Sequence, residues 1–318
     1  MTEPALNRLG GLIELGAVLD EETLSAELDT LQTLGFSEVY PGDALLVSKK
    51  KAEVLSSDVV IFPEGPQVLC ARSREELTEL RERVEVRGME IHSAHYNQIL
   101  PPPGEKADEH FFQLHEELLD RAALLGCRRV TTHPGWMFGV ADAQYTGEAA
   151  KAFRAGAISL RELHAEARKL VGTPEAFMEM NRVVYREFCS RAAMRGITVT
   201  IETAIAEWPE LTENPQAMMD FIASVGEGNL GICLDSGHCH FNAVDIASAI
   251  RVFDSALIET HFHDNHGLRD EHLPVGEGTI DWEGLISALR EIDYLGGVTF
   301  EQRDHAQNVK IWREFIRL

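Results

Sequence analysis

A chain of 318 residues that is 44% hydrophobic and 25% charged has ordinary globular composition, long enough for one large domain or two small ones. Its formal net charge of −23 argues against a nucleic-acid partner, because phosphate neutralisation by Lys and Arg supplies most of that affinity. No apolar run reaches membrane-spanning length and no secretory signal opens the chain, so no membrane partner and a cytoplasmic location are expected.

The predicted elements alternate between strand and helix from end to end. Gly11 to Leu19 reads as a first strand, and Glu21 to Leu34 has helical periodicity that stops at Gly35. Ser37 to Tyr40 is a second strand. The run Lys49-Lys50-Lys51, the longest basic one, reads as a solvated turn. Ser73 to Val84 is helical, Met89 to His95 a third strand ended by the Pro101–Pro103 loop, and Asp108 to Leu125 a helix stopped by Gly126. Arg129 to His133 is a fourth strand, closed by Pro134-Gly135. After a long stretch, Trp136 to Thr173, comes a helix from Glu175 to Arg195, stopped by Gly196. Ile197–Glu202, Leu230–Asp235, Leu257–His261 and Gly297–Glu301 read as further strands. Helices are expected near Asn214–Val225, Val244–Phe253, Asp281–Ile292 and Arg303–Leu318.

About eight strand–helix units with no linker between them predict a single-domain (β/α)8 TIM barrel spanning 1–318. An open doubly wound sheet is the alternative, but it needs a glycine-rich phosphate turn after its first strand, and Gly10-Gly11 is too little for one. The cysteines Cys70, Cys127, Cys189, Cys233 and Cys239 are scattered without CxxC spacing. They predict reduced, mostly buried thiols rather than a disulfide framework or thiolate zinc site; Cys239, between His238 and His240, is singled out.

The stretch Thr260 to Trp282, THFHDNHGLRDEHLPVGEGTIDW, holds the densest chemistry: His261, His263, Asp264, His266, Asp270 and His272. Imidazole with carboxylate is the ligand set that zinc, manganese and cobalt prefer. The same residue types recur at other strand ends: His95, His133, Glu202, Asp235, His261 and Glu301. In a barrel these converge on the carboxyl-terminal mouth, with His238 nearby and with Asp270 and His272 able to fold back over it.

The segments HPG (133–135), IET (201–203), LDSGH (234–238), THFHDN (260–265), DEHLPVGEG (270–278) and FEQR (300–303) together resemble the xylose-isomerase-like superfamily of TIM barrels. That superfamily contains sugar isomerases and epimerases, inosose dehydratases and a class of apurinic endonucleases. The resemblance runs in order from Ser93 to Glu301, and implies a divalent metal (Zn, Mn or Co) held by Glu202, Asp235, His261 and Glu301. By the same resemblance His261 is preferred to His263, because it stands three before Asp264, matching the family's His-x-x-Asp spacing, and His263 takes the place where relatives often have lysine. The resemblance also implies Glu202 and Glu301 as the proton-transferring pair of an isomerase, with a metal-stabilised enediolate. His238 would hydrogen-bond a substrate oxygen, and Arg303 and the Gly276–Gly278 loop would contact further hydroxyls or a phosphate.

Other residues carry two readings. His95 and His133 are either ligands or supports of ligands. Trp136, Phe138 and Trp208 are either an apolar wall for a sugar face or ordinary core and lid residues. His263 and His266 read as loop or pocket-lining residues, His92 and Tyr96 as packing. His110, His115, His164 and His305 read as surface positions on helices.

Three functions stay open: a metal-dependent isomerase or epimerase of a sugar, polyol or related hydroxy-carbonyl compound; a zinc-dependent phosphoester hydrolase; and a non-enzymatic binding barrel. The hydrolase has a specific warrant. His95, His133, Glu202, Asp235, His238, His261, Asp270, His272 and Glu301 match the three-zinc ligands of the apurinic endonucleases one by one. A dehydratase would share the isomerase's metal and carboxylates. Some ketose epimerases carry an acidic residue six positions after the fifth-strand Glu; here that position is Trp208, preceded by Glu207. A small carbohydrate-like substrate is expected, with pairing into a homodimer.

Overall fold

In the computed structural model, the described residues are 6–14, 21–42, 73–96, 107–134, 152, 155–158, 162, 173–204, 211 and 213–317. Their strands are β1 (Leu9–Glu14), β2 (Glu38–Gly42), β3 (Glu90–Ile91), β4 (Ser93–Tyr96), β5 (Arg129–Thr132), β6 (Thr198–Glu202), β7 (Leu230–Asp235), β8 (Leu257–Phe262) and β9 (Val298–Phe300). They form one parallel sheet in the order β3-β2-β1-β9-β8-β7-β6-β5-β4. β3 and β4 are the two halves of the predicted third strand, so the sheet comes round on itself to make the barrel. The halves serve different neighbours: β3 pairs with β2 and β4 with β5.

The described helices are α1 (Glu21–Leu34), α2 (Arg74–Glu85), α3 (Glu109–Leu125), α4 (Pro174–Ala193), α5 (Pro215–Val225), α6 (Ser236–Phe241), α7 (Ile246–Phe253), α8 (Trp282–Glu291) and α9 (His305–Phe315). Their boundaries follow from local chemistry. Ser73 and Glu76 close a capping box on α2. Asp108, Asn214, Asp245, Asp281 and Asp304 each accept a backbone N–H of the first turn of α3, α5, α7, α8 and α9. Gly126 ends α3 at φ 86°, a left-handed position that a residue with a Cβ occupies with strain. No described helix is long and apolar enough to cross a membrane.

The first strand begins earlier than predicted, at Leu9, and Leu15 to Leu19 lie outside the described residues. Gly11, read as the start of that strand, is a strand residue together with Gly10: a Cβ at Gly11 would sit 2.5 Å from Leu31 Cδ2, so the glycine lets α1 pack onto β1. The third strand breaks at His92, whose imidazole is hydrogen-bonded to Thr299 Oγ1 at 3.0 Å inside the barrel. His92 is therefore part of a polar interior rather than of apolar packing. Glu38 lies 3.6 Å from it and Glu259 3.3 Å, all three buried. Arg8 pairs with Glu38 at 2.7 Å.

Two helix histidines predicted at the surface are buried instead, His115 and His305. Phe111 and Phe112, four and three residues before His115, share its side of α3, and with Phe188 and Tyr96 they enclose the ring. His305 packs edge-on against Phe36. The side chain of His110 and all of His164 lie outside the described residues. Both nitrogens of His115 lack a hydrogen-bond partner, and burial, reinforced by Arg191, lowers its pKa to about 3. The unfolded chain takes up a proton below about pH 6.5 that the folded ring refuses, so stability is full above that pH. It falls by on the order of a few kcal/mol as the pH drops towards 3. Melting curves from pH 7 to 4 should show this slope in the wild type and a shallower one in His115→Phe; equal slopes would contradict it.

Candidate active site and metal centre

Strand ends deliver the site. Glu202 closes β6, Asp235 closes β7, His261 lies in β8, His95 in β4, and His133 and Glu301 come directly after β5 and β9. Glu202, 1% exposed, is their hub. Its Oε2 is 2.8 Å from His95 Nε2 and 3.1 Å from His261 Nδ1; its Oε1 is 3.0 Å from His238 Nδ1 and 3.5 Å from His133 Nε2. Burial alone would raise its pKa, but the imidazoles of His261, His133 and His95 outweigh that and hold the carboxyl well below its usual range. Glu301 Oε1 reaches the same His261 Nδ1 at 3.3 Å.

Glu202, Asp235, His261 and Glu301 each offer one ligand atom, and these atoms lie within 4.8 Å of one another. His261 Nδ1 and His238 Nδ1 lie 3.1 and 3.0 Å from Glu202 oxygens without the alignment of a good hydrogen bond, and the buried His261 Nε2 makes none. His261 is pushed up to about 10 against its burial by Glu301 and Glu202, and His238 is raised well above its usual value by Asp235, Asp270 and Glu202. A field that binds protons this strongly suits a divalent cation, which competes for the same lone pairs. The donor set therefore fits a metal ion of the zinc, manganese or cobalt kind.

A second group forms beside it. Asp235 caps α6, accepting from the His238 N–H at 2.7 Å, and that short helix, unforeseen in the sequence, turns the His238 imidazole back towards the mouth. His238, His263, Asp270 and His272 bring ligand atoms within 4.8 Å, as do His95, His133 and Glu202. Asp270 Oδ2 is 3.0 Å from His272 Nε2 and 3.7 Å from His238 Nε2. His272, its side chain 41% exposed, is pushed up to about 9 by Asp270, with partial desolvation opposing.

His263 directly follows β8 and is fully buried, with Nε2 3.0 Å from Asp235 Oδ1 and its ring stacked on His272 at 3.9 Å. The inside–outside alternation of β8 simply continues past the strand, with Phe262 turned towards Trp282 and Trp312. Gly237 makes room, since a Cβ there would fall 1.9 Å from the His263 ring.

Other predicted residues have different employment. Asp264 accepts four donors: Asn265 N and Ile280 N on Oδ1, Gly276 N and Trp282 Nε1 on Oδ2, at 2.7–3.2 Å. Gly276 and Gly278 thus serve Asp264, whose Oδ1 would lie 2.2 Å from a Cβ on Gly278. Arg303 reaches Glu27 of α1 at 3.2 Å. His266 is exposed and hydrogen-bonded to Glu271, and His240 to Thr279. Cys239 is buried, and burial pushes its thiol up to about 12, against the effect of a hydrogen bond to Thr203, so it stays protonated. Trp136, Phe138 and Trp208 lie outside the described residues.

Sequence reasoning missed three groups. Tyr40, in the middle of β2, packs its ring 4.8 Å from that of His261. Cys233, two before Asp235, groups with Glu202 and His261. Glu259, two before His261, is buried beneath it. The signal was available: residues two apart on a strand share a face.

A family model described as a xylose isomerase-like TIM barrel matches residues 59–318. An uncharacterised protein of Methanocaldococcus jannaschii is 29% identical over 128 residues, 39% of this chain and 44% of that one. A D-psicose 3-epimerase of Ruminiclostridium cellulolyticum is 29% identical over 134 residues, 41% of this chain and 44% of that one. These alignments span less than half the length of the relatives. Among solved structures, the apo 3-keto-D-glucoside 4-epimerase from E. coli superposes with TM-score 0.64 at 15% identity, covering 98% of both chains. A D-tagatose 3-epimerase-like protein gives 0.63 at 18% identity, covering 98% of this chain and 97% of that one. With the strand order, the converging strand ends and the matched span together, the chain belongs to the xylose isomerase-like TIM barrel family.

Proposed function

We propose that this protein is a divalent-metal-dependent isomerase, epimerising a carbon next to the carbonyl of a ketose or related hydroxy-carbonyl compound. The observation that carries the reading is the convergence of Glu202 and Glu301, from separate strand ends, on one nitrogen of His261, at 3.1 and 3.3 Å. The similarity to ketose 3-epimerases supports the substrate class. A cation held by Glu202, Asp235, His261 and Glu301 would polarise the substrate carbonyl and make the adjacent proton acidic. Glu202, kept ionised by the imidazoles around it, takes that proton. Glu301 returns one to the opposite face, and His238 hydrogen-bonds a substrate oxygen.

A second reading, a multinuclear phosphoester hydrolase, is favoured by the additional groups His95/His133/Glu202 and His238/His263/Asp270/His272. The net charge of −23 opposes it where DNA is the substrate. Metal analysis of the purified chain, with a panel of ketoses and inososes and an abasic duplex, separates the two. The isomerase reading expects about one tightly held divalent ion per chain, epimer formation and negligible duplex binding at physiological salt. About three zinc ions with phosphodiester cleavage would replace it by the hydrolase. Water loss from an inosose without epimer formation would make it a dehydratase.

A further inference from the structure

Glu259 lies inside the barrel, two residues before His261 and 1% exposed. Its inward position depends on an irregularity of β8: Ile232 pairs with Leu257, but Cys233 pairs with Glu259, so Ile258 is an extra residue. Gly231 accommodates it, for a Cβ there would meet Ile258 Cδ1 at 2.6 Å. Beyond the bulge, Glu259 and His261 stand opposite Cys233 and Asp235.

The carboxylate is held from one side. Thr131 Oγ1 donates to Oε2 at 2.9 Å, and Thr200 Oγ1 approaches the same oxygen at 3.4 Å. Oε1 has no hydrogen-bond partner, and neither has His261 Nε2; the two lie 4.0 Å apart. His92 Nε2 lies between Oε1 and Thr299 Oγ1, at 3.3 and 3.0 Å, and against burial its closeness helps hold the Glu259 carboxyl below its usual range. A separation of 4.0 Å is too narrow for an intervening water and about 1 Å longer than a direct bond, so a small ring movement closes it.

The two nitrogens of His261 divide their surroundings. Nδ1 faces Glu202 and Glu301, and Nε2 has the barrel interior and Glu259. A neutral imidazole that gives Nδ1 to a cation carries its proton on Nε2, and a buried N–H without an acceptor is unfavourable. We propose that Glu259 is the positioning residue of His261: it accepts the Nε2 proton in a hydrogen bond and so presents Nδ1 to the metal. This rests on the reading of Glu202, Asp235, His261 and Glu301 as a metal site.

The test uses the full chain, stripped with a chelator and titrated with Zn2+ against a chromophoric competitor. Glu259→Gln should bind the ion about 10–100-fold more weakly than wild type while its metal-free melting temperature stays close to wild type. In the Zn2+-loaded wild type, 15N NMR of labelled histidine should show His261 protonated at Nε2, a readout that needs no variant to fold. Unchanged affinity in Glu259→Gln, or metal on Nε2, overturns the proposal and leaves the metal site standing. A wild type that takes up no divalent ion overturns both.

Discussion

Glu301→Gln should lower turnover by about a thousandfold while solvent deuterium still enters the substrate at the reacting carbon. In a two-face mechanism each carboxylate handles one face. With Glu301 silenced, Glu202 can still remove a proton and return a deuteron to the side it came from. Exchange then proceeds without inversion, which mass spectrometry and chromatography of the epimers read separately. Glu202→Gln should abolish both for the epimer whose proton it takes. It also leaves His95, His133, His238 and His261 around a neutral amide where each now approaches a carboxylate within 3.5 Å, so its metal affinity should fall too. Glu301 is the cleaner probe, being at the edge of the cluster with a side chain 13% exposed. Near-normal epimerisation in both variants would sink the proton-transfer mechanism.

The largest loss of stability should come from a residue that touches no substrate. Asp264→Ala removes the acceptor from four donors at once, three backbone N–H groups and the indole of Trp282, all around a carboxylate with no exposed surface. Donors stranded by the loss of a charged acceptor cost roughly 1–3 kcal/mol each when buried, and the rim relaxes only in part. A total of about 4 kcal/mol is expected in urea unfolding at pH 7. Asp264→Asn should also destabilise, because one side of the amide confronts N–H groups with its own. A change below about 1 kcal/mol for Asp264→Ala would show that the loop holds its shape by other means.

The barrel was legible because strand ends and helix stops are local signals. Gly35, Gly126 and Gly196 take φ of 87°, 86° and 67° at the ends of helices read from periodicity, and the strand ends brought His95, Glu202, Asp235 and His261 to one mouth. What was lost had two causes. The polar interior of Glu38, His92 and Glu259 is unusual for a buried layer, and of the three only His92 drew notice in the sequence, as packing. His115 was misjudged because its polarity outweighed the aromatic neighbours that share its helical face. The helix α6 is too short for periodicity to declare itself, although Asp235 three residues before His238 is a capping signal.

The antiparallel bridge between Asp264 and Leu273 has a consequence for how such sites change over evolution. It pinches off the excursion 265–272, which carries Asp270 and His272, and the Asp264 carboxylate secures the chain on the far side of the pinch at Gly276, Ile280 and Trp282. The excursion is in effect a cassette with its own clasp. Swapping its contents removes Asp270 and His272 from the second group while leaving Glu202, Asp235, His261 and Glu301 on their strands. The carboxylate and imidazole that this excursion adds to the mouth can thus change by loop substitution, while the strand-end groups and the core keep their places.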